Sequence, residues 1–143
     1  MPSFLKHEVV AKILDIGLLP VFYNAETETA KKIVDACTGG GAKVVEFTNR
    51  GAHAYQVFSE IAKWCNRDLP DVIFGAGTII DPATAALYIN SGASFTVGPS
   101  FNPEVAKLCN RRKVPYIPGC STPSEISSAE EMGADLIKIF PAK

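Results

Sequence analysis

Asp135-Leu136-Ile137-Lys138-Ile139-Phe140-Pro141-Ala142-Lys143 is the stretch on which the reading of the whole chain turns. Residues 136–140 make a short β-branched and aromatic run between Gly133 and Pro141, which predicts a buried strand of an α/β protein. Lys138 stands in its middle. An ammonium in an apolar strand must lose hydration or find a partner, and a lysine held in that way suits Schiff-base chemistry. The competing reading is a strand lysine that snorkels to solvent from a one-sided sheet.

Upstream, Phe4, Leu5, Val9, Ile13 and Ile16 recur at helical spacing and predict a leading helix over 3–16, with Ser3 as N-cap and Gly17 past its end. Strands are expected at 18–23, 43–48, 95–99, 114–118 and 136–140. A further strand begins at 72–74 and runs into Gly75-Ala76-Gly77-Thr78. Pro20 counts against a regular ladder position in the first strand. Helices are expected over 24–38, where Glu28 and Lys32 form an i,i+4 pair, and over 52–66. Three more helices start at Asp81-Pro82, Asn102-Pro103 and Thr122-Pro123. Each joins a good N-cap residue to proline at the first helical position, and Thr122 with Glu125 adds a capping-box spacing. The order is a helix, five βα units and a sixth strand.

Gly-Ala recurs at Gly41-Ala42, Gly92-Ala93 and Gly133-Ala134, each time between a helix and a strand, where a left-handed cap belongs. Five residues on from each glycine lie Glu46, Val97 and Lys138; seven residues on lie Thr48, Pro99 and Phe140. Side chains alternate along a strand, so equal offsets face the same side and Glu46 and Lys138 share one interior. Uninterrupted βα alternation means a parallel sheet, either an open doubly wound sheet or a (β/α)8 TIM barrel. A carboxylate on the second strand and a lysine on the sixth meet across a barrel but lie far apart in most open sheets, which favours the barrel. A full (β/α)8 domain takes roughly 200 residues or more. Residues 1–143 are therefore read as a single barrel domain that is incomplete, with six strands and no seventh or eighth.

The 143 residues are 47% hydrophobic and 20% charged, with a formal net charge of -1. That balance gives no general attraction to nucleic acid or to an anionic membrane, so the expected partner is a small molecule or another copy of the chain. No apolar run approaches the ~20 residues of a membrane-spanning helix, and no signal peptide is visible. Cys37, Cys65, Cys109 and Cys120 are widely spaced, without a C-x-x-C pair or a histidine cluster. They read as buried free thiols of a soluble protein in a reducing cytoplasm.

Glu46 lies in Val44-Val45-Glu46-Phe47-Thr48-Asn49-Arg50, where a free carboxylate is costly. It is either a general acid/base beside Lys138 or half of a structural ion pair with Lys138 or Arg50. Arg50, just past the C-terminal end of its strand, suits a substrate carboxylate through a bidentate contact, or is a solvated loop charge. Gly75-Ala76-Gly77-Thr78 lacks the third glycine of a dinucleotide fingerprint and the lysine of a P-loop. Its glycines read as room for close backbone approach at the rim, with Thr78 as a hydrogen-bonding group. Pro118-Gly119-Cys120-Ser121-Thr122 leads into a helix N-terminus and is either an anion site or a plain turn and cap. His53 is expected at a helix start and His7 on a surface helix, neither in triad company.

Glu46-Phe47-Thr48-Asn49-Arg50, Gly75-Ala76-Gly77-Thr78, Gly98-Pro99, Pro118-Gly119-Cys120-Ser121-Thr122 and Lys138-Ile139-Phe140-Pro141-Ala142 resemble, in order and spacing, the 2-keto-3-deoxy-6-phosphogluconate / 4-hydroxy-2-oxoglutarate aldolase family. The resemblance implies a class I aldolase, a lyase of carbohydrate metabolism on a (β/α)8 barrel, usually trimeric and needing no metal or other cofactor. It makes Lys138 the Schiff-base lysine and Glu46 the general acid/base. Arg50, Thr78, Pro99 and Phe140 become the pocket for the pyruvate moiety. The implied partners are a keto acid and an aldehyde such as glyceraldehyde 3-phosphate or glyoxylate. Family members continue into two further strands whose glycine-rich and Gly-Ser turns hold the substrate phosphate, and this sequence contains neither. A sugar-acid or phosphate-binding barrel without turnover, or an inactive barrel fragment, are the alternatives.

Overall fold

Every paired strand of the protein runs parallel to its neighbour, and neighbours in space are neighbours in sequence. The structure is a computed structural model in which residues 3–142 are described. Its elements are α1 (Lys6–Ile16), β1 (Val21–Phe22), α2 (Thr27–Gly39), β2 (Val44–Thr48), α3 (Ala54–Asp68), β3 (Ile73–Gly77) and α4 (Pro82–Asn90). There follow β4 (Thr96–Val97), α5 (Pro103–Arg112), β5 (Tyr116–Ile117), β6 (Gly119–Cys120), α6 (Pro123–Glu131) and β7 (Lys138–Ile139). The spatial order is β1-β2-β3-β4-β5, and β6 pairs with β7. A doubly wound sheet reverses its strand order at a switch point. This one does not reverse, as expected of a chain winding in one direction around a barrel axis.

The expected fifth strand is two segments. Pro118 has no N–H to give the ladder, so β5 and β6 lie on either side of it, while its carbonyl accepts from the Lys138 N–H at 2.9 Å. Pro20 shortens β1 in the same way, its carbonyl accepting from the Glu46 N–H at 2.9 Å. The leading helix starts at Lys6 rather than beside Ser3, whose hydroxyl donates to Asn66 Oδ1 at 3.0 Å. Asn24 Oδ1 accepts from the Glu26 N–H at 2.8 Å, a local turn that delays α2 to Thr27. On that helix Glu28 pairs with Lys31, three residues on, at 2.7 Å, and not with Lys32. His53 is in the left-handed region (φ 61°), so α3 begins at Ala54. The three proline-led helix starts are as expected, with side chains of Asp81, Asn102 and Thr122 accepting from N–H groups of the first turn. Gly41, Gly92 and Gly133 carry φ of 97°, 108° and 83°, the left-handed caps that the Gly-Ala repeat predicts.

Two apolar clusters lie on opposite faces of the strands. The larger packs Val45, Phe47, Phe74, Ala76 and Tyr116 against α2, α3, α4 and α5, with Phe58 stacked on Phe74 at 4.8 Å. The smaller joins Val44, Ile73, Phe95, Val97 and Ile117 to Val9 of α1, with Phe4, Ile13, Ile16 and Leu136 around them. Helices thus cover the outer face, whereas strand side chains fill the inner one and α1 closes its N-terminal end. That is the layering of a barrel, with the C-terminal ends of the strands left for a site. Contrary to the expectation of a buried sixth strand, residues 136–140 are half-buried or exposed, Ile139 at 57% and Phe140 at 42%. Among the described residues β1 and β7 each pair on one side only.

The four cysteines are free, with Cys65, Cys109 and Cys120 buried and Cys37 only half-buried against the outer cluster. No helix among the described residues is long and apolar enough to cross a membrane.

Candidate active site

All five residues of β2 are buried, including a carboxylate. Because Val44 belongs to the inner cluster and Val45 and Phe47 to the outer one, Glu46 and Thr48 face inward. The same alternation turns Gly75 and Gly77 of β3 inward, then Pro99 beyond β4, Gly119 of β6, and Lys138 and Phe140 of the last strand. Apolar side chains occupy the N-terminal half of this interior. Polar groups and glycines, with Pro99 and the Phe140 ring, occupy the C-terminal half.

Glu46 is 2% exposed, and burial pushes its carboxyl above the ordinary carboxylate range. The Lys138 ammonium and the Arg50 guanidinium pull the other way without prevailing. Neither closes an ion pair with it: the salt bridges among the described residues involve other groups. The structural ion pair allowed by the sequence is therefore not formed. No buried side-chain oxygen among the described residues is both sealed and unpartnered. The Glu46 carboxylate, which accepts no hydrogen bond there, consequently opens onto space that solvent can reach. A carboxyl that holds its proton more tightly than usual, within electrostatic reach of two cations, is suited to shuttling protons.

Glycine makes the space. A Cβ built on Gly77 would collide with the Glu46 carboxylate, and one on Gly75 would collide with the Phe95 ring. Gly77 ends β3 and Gly75 lies within it, and the close approach they permit is by the side chains of Glu46 and Phe95 rather than by backbone. Gly77→Ala is expected to lower stability by about 1–3 kcal/mol through overpacking. Urea unfolding checks it, and Gly77→Ala combined with Glu46→Ala should recover most of the loss if the collision is the cause.

Lys138 is half-buried, with Nζ 4.9 Å from the centroid of the Phe140 ring. That is cation–π range, so Phe140 walls one side of the amine. Gly119 is the strand partner of Lys138, and a Cβ there would strike the Pro99 carbonyl, which brings Pro99 to the same rim. Thr78 follows β3 directly and is held at φ 61°, a strained conformation of the kind found at ligand rims. Arg50 is exposed, two residues past β2. All six residues singled out in the sequence thus stand on strands or just beyond their C-terminal ends.

The 118–122 turn is not an open anion site. Glu125 Oε2 accepts from the N–H groups of Ser121 (2.7 Å) and Thr122 (3.0 Å), so the chain's own carboxylate fills it. Asn49 and Tyr88 were not singled out by the sequence, yet the Tyr88 hydroxyl donates to Asn49 Oδ1 at 2.9 Å beside Arg50. Thirty-nine positions separate them, and no local pattern signals the contact. His53 caps α3 and His7 is exposed on α1, as expected. A groove of about 400 Å3 lined by Lys6, His7, Val10, Leu14 and Asp135 lies along α1 and contains none of these site residues.

The family model "KDPG and KHG aldolase" matches residues 9–143. The chain belongs to the KDPG and KHG aldolase family. Among curated members of that family, the 2-dehydro-3-deoxy-phosphogluconate aldolase of Haemophilus influenzae is 29% identical over 99% of this chain and 65% of its own length. The KHG/KDPG aldolase of Escherichia coli K12 is 33% identical over 92% of this chain and 60% of its own. A solved KDPG aldolase from Legionella pneumophila, with pyruvate captured as a covalent carbinolamine intermediate, superposes with a TM-score of 0.78. It is 31% identical, and the match covers 87% of this chain and 58% of that one. The α/β fold, with its parallel sheet and six helices among the described residues, is thus of the aldolase family's TIM-barrel-like kind. The chain spans less than two thirds of the length of these aldolases.

Proposed function

We propose that the protein is a class I aldolase, a Schiff-base lyase that reversibly cleaves a 2-keto-3-deoxy-6-phospho sugar acid or 4-hydroxy-2-oxoglutarate to pyruvate and an aldehyde. The aldehyde is glyceraldehyde 3-phosphate for the first substrate and glyoxylate for the second. Residues 1–143 form one domain supplying six strands of an eight-stranded barrel, in a cytoplasmic homotrimer. The observation that carries this reading is an inward Glu46 that burial makes hold its proton tightly, within electrostatic reach of Lys138, in a chain of this family. The covalent pyruvate adduct of the Legionella relative supports the same chemistry.

In the proposed reaction the free amine of Lys138 adds to the C2 carbonyl to give a carbinolamine, and loss of water gives an iminium. The iminium accepts the electron pair of the C3–C4 bond as that bond breaks. Glu46 takes the proton of the C4 hydroxyl, which becomes the aldehyde carbonyl. The resulting enamine takes a proton back at C3, and water then releases pyruvate and regenerates the amine. Arg50 pairs with the keto-acid carboxylate, Thr78 and Pro99 line the pyruvate pocket, and the Phe140 ring walls it. No metal or organic cofactor is needed, because the lysine itself supplies the electron sink.

Incubation with pyruvate and borohydride is the test. The expected product carries one reduced pyruvyl group, located on Lys138 by peptide mass spectrometry. A protein that takes up no label under borohydride is not a Schiff-base aldolase.

A further inference from the structure

Arg50 sits on an exposed loop, yet a residue that clamps a small carboxylate must be held in register with the amine that attacks the adjacent carbonyl. The loop is tied down from the helix layer. Asn49 prolongs the β2–β3 ladder by one residue, its N–H donating to the Gly77 carbonyl at 2.9 Å. Alternation along β2 sends the Asn49 side chain outward, toward the helices, where the Tyr88 hydroxyl donates to its Oδ1 at 2.9 Å. Tyr88 is 1% exposed on α4, its ring edge-on to Phe58 at 5.0 Å. Burial pushes its hydroxyl up to about 12, so it remains a donor at neutral pH. The Tyr23 hydroxyl fills the space that a Cβ on Gly51 would need. The segment 49–51 is thereby fixed by a ladder bond, a buried phenol and a close contact, and Arg50 is its middle residue. The Arg50 N–H donates to the Thr48 carbonyl at 3.0 Å, closing a tight turn, and its guanidinium acts electrostatically on Glu46.

We infer that Tyr88 and Asn49 form a positioning pair that holds Arg50 for the keto-acid carboxylate, setting the affinity for the acid end of the substrate without touching it. This rests on the assignment of Arg50 as the carboxylate clamp. Tyr88 and Asn49 act through Arg50, so their influence should appear in binding and vanish when Arg50 is absent. A merely structural hydrogen bond would lower thermal stability and leave substrate binding alone.

The experiment is a double-variant cycle read by borohydride trapping of pyruvate on Lys138, at a temperature where circular dichroism shows every variant folded. Tyr88→Phe keeps the ring and removes only the donor. It should raise the half-saturating pyruvate concentration by roughly three- to tenfold, with the maximal trapping rate within about twofold of the parent. Arg50→Ala should raise it by roughly tenfold or more. In the Arg50→Ala background, Tyr88→Phe should have no further effect. The inference is overturned if Tyr88→Phe leaves half-saturation unchanged while Arg50→Ala raises it, or if the two effects multiply in the double variant. If Arg50→Ala itself changes nothing, the clamp assignment falls and takes the positioning pair with it. A parent protein that is never labelled removes both.

Discussion

Lys138→Ala is expected to abolish pyruvate labelling under borohydride and to lower aldol cleavage by roughly 10³-fold or more, because the proposed reaction runs through an iminium on its amine. The lysine shares the inward face of the last strand with Leu136, which belongs to the inner cluster, and with Phe140, whose ring lies 4.9 Å from its Nζ. It closes no ion pair among the described residues, and its removal leaves the buried Glu46 carboxyl to hold its proton still more tightly rather than to stay charged without a partner. Being half-buried, it also contributes little packing that alanine would lose. Activity should therefore collapse while the melting temperature barely moves, a combination that separates lost chemistry from lost folding. The checks are peptide mass spectrometry, a coupled pyruvate assay and a thermal melt on the same sample. Label on Lys6 or Lys43 in the parent protein would place the nucleophile elsewhere.

Glu46→Gln should lower turnover by roughly 10²-fold or more while pyruvate is still trapped on Lys138, since the amide fills the same space but cannot move the C4 proton. It should also make the protein more stable at neutral pH. Burial, opposed by the weaker pull of Lys138 and Arg50, holds the folded-state carboxyl above its ordinary 4.5. The folded protein thus binds this proton more tightly than the unfolded chain, and ionisation at neutral pH is a cost of folding that glutamine does not bear. Below the ordinary carboxylate range both side chains are neutral and the two proteins should melt together. As pH rises through 4.5 toward the raised folded value, the glutamine variant should gain, and above that value the gap should stay constant. Melting curves at several pH values test this. A glutamate protein that gains on the variant as pH rises would mean that Lys138 and Arg50 outweigh burial.

The proline-led helix starts at Asp81, Asn102 and Thr122 and the glycine caps at Gly41, Gly92 and Gly133 were legible because each is decided within four residues by cap chemistry. The shared interior of Glu46 and Lys138 was legible because strand alternation extends those caps into a register. The break of the fifth strand at Pro118 needed only the missing N–H, and the prolines in that stretch were a visible warning. Gly75 and Gly77 were misjudged for a different reason. What fills their space is Phe95 from one neighbouring strand and Glu46 from the other, and no single segment contains that information. The Glu125 side chain that fills the 118–122 turn was within reach of the sequence, since the capping-box spacing of Thr122 and Glu125 supports the turn-and-cap alternative. Asn49 and Tyr88 were out of reach, because their contact exists only once a helix packs on the strand carrying the site.

The two halves of the proposed catalytic pair stand on strands of unequal permanence. Glu46 is on β2, which is hydrogen-bonded on both sides, buried along its whole length and shared by both apolar clusters. Lys138 is on β7, two residues long, bonded to β6 alone among the described residues and half open to water. Amide hydrogens of β2 should exchange with solvent only on global unfolding, whereas those of Lys138 and Phe140, bonded to the Pro118 and Cys120 carbonyls, should exchange through local fraying. In the proposed reaction, the fraction of time β7 is zipped to β6 then sets how often Lys138 and Glu46 are aligned. Whatever braces the free side of β7 would raise that fraction and speed adduct formation without contributing a single atom to the chemistry.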